Sequence, residues 1–210
     1  MYTTSGVVGV KPDPVEDDKI KKILDAAMRA PSSGNSQPWQ FIVVRDAKLK
    51  ASIQSLAVEG MNQYFALREA VGWPKLPSKT EKMSREFANA TEKVPVLIFV
   101  CIDNGRMRAR LSFSALGLVL RNPNVRRMAP LSVYASVFPA MQNLLLAARG
   151  MGLATRISFF PLFPKGKVAS MLHLPKTVEP VAVVYLGYPE GPFVRTRRMP
   201  PEQSIHYDGW

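Results

Sequence analysis

The chain is expected to fold as one compact domain in which helices and strands alternate, and three observations lead there. It has 210 residues, 47% of them hydrophobic and 21% charged, which is enough to bury a sizeable core beneath an ordinary surface. Segments with apolar residues at helical spacing are interleaved with short β-branched runs. No internal repeat or low-complexity block interrupts the series.

The elements follow in order. "PVEDDKIKKILDAAMRA" places Ile20, Ile23, Leu24 and Ala27 on one helical face, with Glu16, Asp17 and Asp18 at the amino end where the helix dipole favours negative charge. Pro31 stops that helix. "WQFIVVRD" is short, apolar and β-branched and reads as a buried strand, after which Asp46 caps the helix "AKLKASIQSLAVEG". Residues 60–93 are polar, with "GWPKLPS" between two helical stretches, and are expected to lie away from the core. "VPVLIFVCI" is the clearest central strand. Residues 104–133 combine the apolar run "LSFSALGLVL" with flanking arginines and the breaker "RNPN", an arrangement suited to covering a site or meeting a partner. "ASVFPAMQNLLLAARGMGLATRI" reads as a long buried helix over residues 135–149, ended by Gly150 and Gly152 before another strand. A last strand, "EPVAVVYLGYP", precedes a basic, proline-punctuated tail over residues 192–210, too polar to pack alone.

Composition narrows the chemistry. No run approaches the roughly 18 apolar residues of a membrane span, and the first residues lack a secretory pattern, so a cytoplasmic protein without a membrane partner is expected. The one cysteine, Cys101, sits inside the central strand and reads as a small core residue. The two histidines, His173 and His206, have no second ligand at metal spacing, so no metal is expected. "GVVGV" is not a dinucleotide fingerprint, and no serine lies in a GxSxG elbow. Any chemistry therefore falls to a bound cofactor. The net charge is +12, and residues 104–178 hold eleven Lys and Arg side chains with no Asp or Glu, a field that attracts anions. That segment alone leaves a basic nucleic-acid-binding protein as an alternative, although no RNP signature, zinc finger or clear helix-turn-helix accompanies it.

One stretch, "APSSGNSQPWQFIVV", carries more hydrogen-bonding groups than a helix-to-strand connection needs. Its serines also fit local side-chain bonding within a turn. The stretch resembles the characteristic loop of the FMN-dependent nitroreductase family. "KPDPV", "FPAMQNLLLAARGMGLATR", "VEPVAVVYLGYPEGPF" and "TRRMPPEQSIHYDGW" resemble family segments in family order, with residues 60–93 and 104–133 unmatched. The resemblance implies an α+β, nitroreductase-like fold with a central mixed sheet flanked by helices, assembled as an intertwined homodimer whose tail reaches the partner subunit. It implies FMN as cofactor, NADPH or NADH as reductant, and two-electron reduction of a small electron-poor acceptor such as a nitroaromatic, quinone or enone.

Carried over by position, Pro31, Ser32, Ser33 and Asn35 face the flavin, while Gln37, Pro38 and Trp39 hold the loop's shape. Ser158 and Phe159, in "RISFF", fall where the family's backbone faces the flavin N5 edge. Arg197 and Arg198 match the basic pair that reaches the phosphate, Arg198 being the better placed; no side chain is expected to be catalytic. One departure stands out. Ser5, Val8 and Gly9 occupy positions where the family sets arginines, removing charge-assisted contacts of about 1.5–3 kcal/mol each. Lys11 or an arginine of the basic segment is the expected substitute. The same departure leaves a second alternative, a non-catalytic or repurposed flavin-binding or small-ligand-binding protein of this fold.

Overall fold

The computed structural model describes residues 3, 9–108 and 121–210. Its centre is a four-stranded sheet in the order β1-β2-β4-β3, made by β1 (Trp39–Val44), β2 (Val96–Asp103), β3 (Ala154–Ser158) and β4 (Val178–Gly187). Among the described residues six α-helices are placed around it: α1 (Asp17–Met28), α2 (Ala47–Ala70), α3 (Ser78–Asn89), α4 (Asn104–Arg108), α5 (Pro123–Gly150) and α6 (Lys167–Met171). The α+β class stands. All pairings are antiparallel, however, so among the described residues the sheet is not mixed. β2 lies between two strands that both run against it, and any parallel neighbour has to come from beyond these strands.

The central strand shows why its sequence is a continuous apolar run. Val96, Ile98, Val100 and Ile102 point to one face and pack with Ile20, Ile23 and Ala27 of α1 and Val137, Ala140 and Leu144 of α5. Leu97, Phe99 and Cys101 point to the other and meet Ile53 and Leu56 of α2, Phe87 of α3 and Tyr185 of β4. A strand covered on both faces has no position left for polar residues.

Three expectations change. α2 continues to Ala70, and the two ends of the stretch 60–93 reach the core, with Met61, Phe87, Ala88 and Thr91 buried, while residues 62–86 hold no buried side chain. Gly60 permits this, because a Cβ there would lie 1.9 Å from the carbonyl oxygen of Phe160. α5 begins at Pro123 rather than Ala135: Asn122 accepts from the N–H groups of Asn124 and Val125, and Pro123 supplies a preset first turn, so "RNPN" both breaks the helical path after Arg121 and starts α5. By length and composition α5 is also sufficient to cross a membrane, contrary to the expectation that no run approaches that limit. Its buried side chains, including Val137, Leu144 and Ala148, belong to the sheet's own core. Ser5, Val8 and the run "LSFSALGLVL" lie outside the described residues.

Candidate functional site

The connection from α1 to β1 is a tight surface loop with one 3-10 turn at Ser33–Asn35. Its backbone is left-handed at Gly34 (φ 57°), Asn35 (φ 51°) and Gln37 (φ 47°). Glycine accepts this freely, whereas each of the other two costs about 1 kcal/mol that surrounding bonds must offset.

Those bonds are present. The Ser33 N–H donates to Ser136 Oγ of α5 at 3.1 Å, and that hydroxyl donates onward to the Ser132 carbonyl at 2.8 Å. The Gln37 N–H donates to Ser32 Oγ at 3.0 Å, and its Nε2 donates to Asn35 Oδ1 at 3.1 Å. Arg106 Nη1 donates to the Gln37 carbonyl at 3.0 Å, and the Asp103 N–H donates to the Pro38 carbonyl at 2.7 Å. Trp39 is buried at the start of β1. Gln37, Pro38 and Trp39 thus hold the loop's shape, as expected. Ser32 and Asn35 take part in the local turn bonding, keeping the Ser32 hydroxyl proton and the Asn35 Nδ2 as donors for a ligand. Pro31, Ser33 and Asn35 are exposed, and a Cβ at Gly34 would meet nothing within 4 Å. Beneath them the Ser36 hydroxyl is buried with no hydrogen-bond partner among the described residues. A planar ring with a polar edge fits such a surface: close approach is open, donors are at hand, and one hydroxyl is unsatisfied.

The other expected site residues stand apart from this loop. Ser158 ends β3 with its hydroxyl buried, accepting from the Phe160 N–H at 3.3 Å. Phe159 follows it and is exposed. β1 and β3 are the two edges of the sheet, about 14 Å apart at ordinary strand spacing. Arg197 and Arg198 lie in the exposed tail, where Arg198 Nη1 donates to the Arg197 carbonyl. Among the described residues no hydrogen bond or ion pair joins either arginine to the loop.

The root of the tail is better held. Arg149, at the end of α5, sets its guanidinium 3.5 Å from the centre of the Phe193 ring and donates from Nε to Thr3 Oγ1 at 2.9 Å. The Lys11 N–H donates to the Tyr188 carbonyl at 2.7 Å, so the lysine expected to substitute for the absent arginines stands beside the tail's origin. Gly9 lies against an acid: a Cβ there would fall 1.9 Å from Glu190 Oε2. The basic segment, too, is partly committed within the chain. Lys167 pairs with Glu59 at 2.7 Å, and Arg156 lies 3.6 Å from the centre of the Phe87 ring, its pKa lowered by burial. Cys101 is sealed in the core, where desolvation pushes its thiol up to about 12, so it supplies no nucleophile at neutral pH.

Sequence reasoning missed Ser136, Ser36 and Arg106. Ser136 shares α5 with Ser132, Gln142 and Asn143, so neither it nor Ser36 nor Arg106 has a distinguishing local pattern.

The sequence pattern of the Nitroreductase family matches residues 9–188. The chain is 27% identical over 194 residues to an NADH dehydrogenase of Thermus thermophilus, covering 92% of this chain and 86% of that one. It is 29% identical over 217 residues to a 4-nitrobenzoate reductase of Pseudomonas putida, covering 95% and 89%. A crystal structure of oxidised iodotyrosine deiodinase bound to FMN and 3-iodo-L-tyrosine shares the fold, with a TM-score of 0.70 at 20% identity, over 98% of this chain and 95% of that one.

Proposed function

The chain belongs to the nitroreductase family, and from that membership we propose that it is an FMN-dependent oxidoreductase, taking a hydride from NADPH or NADH and reducing a small electron-poor acceptor by two electrons. Nitroaromatics, quinones and enones are the acceptor classes. The reduction of the acceptor names the Pseudomonas relative, and FMN is the ligand of the deiodinase of like fold. The observation that carries the reading is the loop at residues 31–37, an open small-residue surface with donors above an unpartnered buried hydroxyl.

FMN bound there would supply the two-electron relay between nicotinamide and acceptor. The chain's own residues orient and neutralise. Pro31, Ser32, Ser33 and Asn35 would lie against the ring, the two serines and the asparagine meeting its polar edge. The backbone at Ser158 and Phe159 would face the N5 edge, where an N–H donor stabilises negative charge gained on reduction. Arg197 and Arg198 would bind the phosphate, for which the planar guanidinium fork is suited. A site drawing on both sheet edges and on an exposed tail is best completed by two copies of the chain, so a homodimer with the tail laid across its partner is part of the proposal.

An absorption spectrum of the purified protein with and without added FMN tests this directly. A yellow protein bleached by NADPH or NADH in the absence of oxygen is expected, and Arg198→Ala should weaken FMN by about tenfold or more, the loss of a charge-assisted contact. A colourless protein that takes up no FMN refutes it. A second reading is favoured by Glu190, which stands where Gly9 replaces an expected arginine and turns a phosphate-binding position acidic. On that reading the chain binds flavin without turnover, and a yellow protein inert to both nicotinamides distinguishes it.

A further inference from the structure

Arg106 belongs to the short helix α4, immediately after β2, and reads in sequence as one of eleven cations in a segment without acids. In the fold its guanidinium is committed to the loop and to the strands that flank it. Nη1 donates to the Gln37 carbonyl at 3.0 Å. With the Gln40 amide oxygen turned towards it, Nε and Nη2 donate to Gln40 Oε1 at 3.2 and 2.9 Å. Asp103 Oδ2 stands 3.6 Å from Nε, and the other oxygen of that carboxylate accepts from the Gly105 N–H at 2.9 Å. The side chain therefore bridges the loop at residue 37, the start of β1 at residue 40 and the end of β2 at residue 103.

The residue it grips is the one on which the loop depends. Gln37 has a left-handed backbone, and its two N–H-bearing groups hold Ser32 Oγ and Asn35 Oδ1. Strained backbone of this kind persists only where its surroundings over-determine it. The planar fork reaches a backbone carbonyl and a side-chain amide at once, which a lysine ammonium does not reproduce. A surface ion pair with Asp103 alone would contribute little.

We propose that Arg106 is a positioning residue that acts through Gln37 to hold Ser32 and Asn35 in the arrangement that meets the flavin. The inference rests on the reading of this loop as FMN-facing.

The test uses the full-length chain and FMN itself. Arg106→Ala should raise the FMN dissociation constant about tenfold in a fluorescence titration. Without FMN, it should speed backbone hydrogen exchange in residues 31–38 while exchange in β2 and β4 and the thermal midpoint stay as in the wild type. Arg106→Lys should not rescue either effect, and Gln40→Leu, which removes an acceptor and leaves the charge, should reproduce both in weaker form. Unchanged FMN affinity in Arg106→Ala, or full rescue by lysine, overturns the proposal while leaving the flavin reading intact. Exchange that accelerates throughout the sheet also overturns it, because the effect is then global stability. A wild-type chain that binds no FMN overturns the flavin reading, and the proposal with it.

Discussion

Tyr185 lies on the α2 side of the sheet, its ring centre 4.5 Å from that of Phe87 and its hydroxyl 3.4 Å from Thr91 Oγ1. Burial pushes this phenol from its ordinary value of 10.0 up to about 12, against the smaller opposing pull of hydrogen bonds from Thr91 and Ser158. Between those two values the unfolded chain has released a proton that the folded chain retains, so the contribution of Tyr185 to stability is complete below pH 10 and is lost as the pH rises towards 12. Two units correspond to about 3 kcal/mol. Tyr185→Phe should flatten this alkaline loss, read as a smaller decline of the urea midpoint between pH 10 and 12; an unchanged decline assigns the effect elsewhere, the Cys101 thiol being the next candidate. Such a residue is recognisable as core from its strand alone. Arg106 is not, because its role depends on a carbonyl that lies 69 residues away in the chain and comes within reach only when β1 pairs with β2. Ser36 is equally silent in sequence, since one serine among several small residues does not announce which hydroxyl is sealed.

At the scale of elements, the legible features were those set by short-range rules. The α1 stripe of Ile20, Ile23 and Ala27 and the capping of α2 by Asp46, which accepts from the Leu49 N–H at 2.7 Å, depend on residues within one or two turns. The family loop was visible for the same reason. α5 was misjudged at its start because Pro123 breaks a helix at most positions and begins one at the first turn, and only the cap bonds of Asn122 distinguish the two. The packing of α2 at Gly60 and Met61 is not legible in sequence because it depends on the absence of a side chain at Gly60. Gly60→Ala tests that contact. The added methyl would sit 1.9 Å from a backbone oxygen, which cannot rotate away, so α2 or the turn at Phe160–Leu162 must shift. A loss of about 2–3 kcal/mol in urea unfolding is expected. Because that turn directly follows Phe159, FMN affinity should fall in the same variant, and a normal unfolding midpoint would show that α2 is not held against the turn in this way.

Across the whole molecule, the residues with the clearest resemblance to flavin contacts are divided among the α1–β1 loop, the far sheet edge and the tail, and the loop and the tail meet different physical demands. The loop is braced by hydrogen bonds to itself, α4, α5 and β2. The tail is exposed almost from Pro192 to the end, and it carries Met199, Ile205, Tyr207 and Trp210 with much of their apolar surface in water. Apolar side chains at that exposure gain about 25 cal/mol for each Å² that a second surface covers. The net charge of +12 argues against two such chains associating unless opposite charge or apolar contact offsets it. A chain ending at Gly191 separates these contributions. It loses the Arg149–Phe193 contact, worth about 1 kcal/mol, together with the interactions of Val194 and Arg195 and the proposed partner contacts, and no residue of either main core cluster, so it should still fold, with a lower thermal midpoint. It should also bind FMN at least tenfold more weakly, since Arg197 and Arg198 are gone. Light scattering should give the full chain twice its 23.3 kDa mass and show the shortened chain shifted towards monomer. A full-length monomer that binds FMN tightly would place the whole site within one chain and dispense with the crossing tail; a shortened dimer with undiminished FMN affinity would remove the tail arginines from the phosphate.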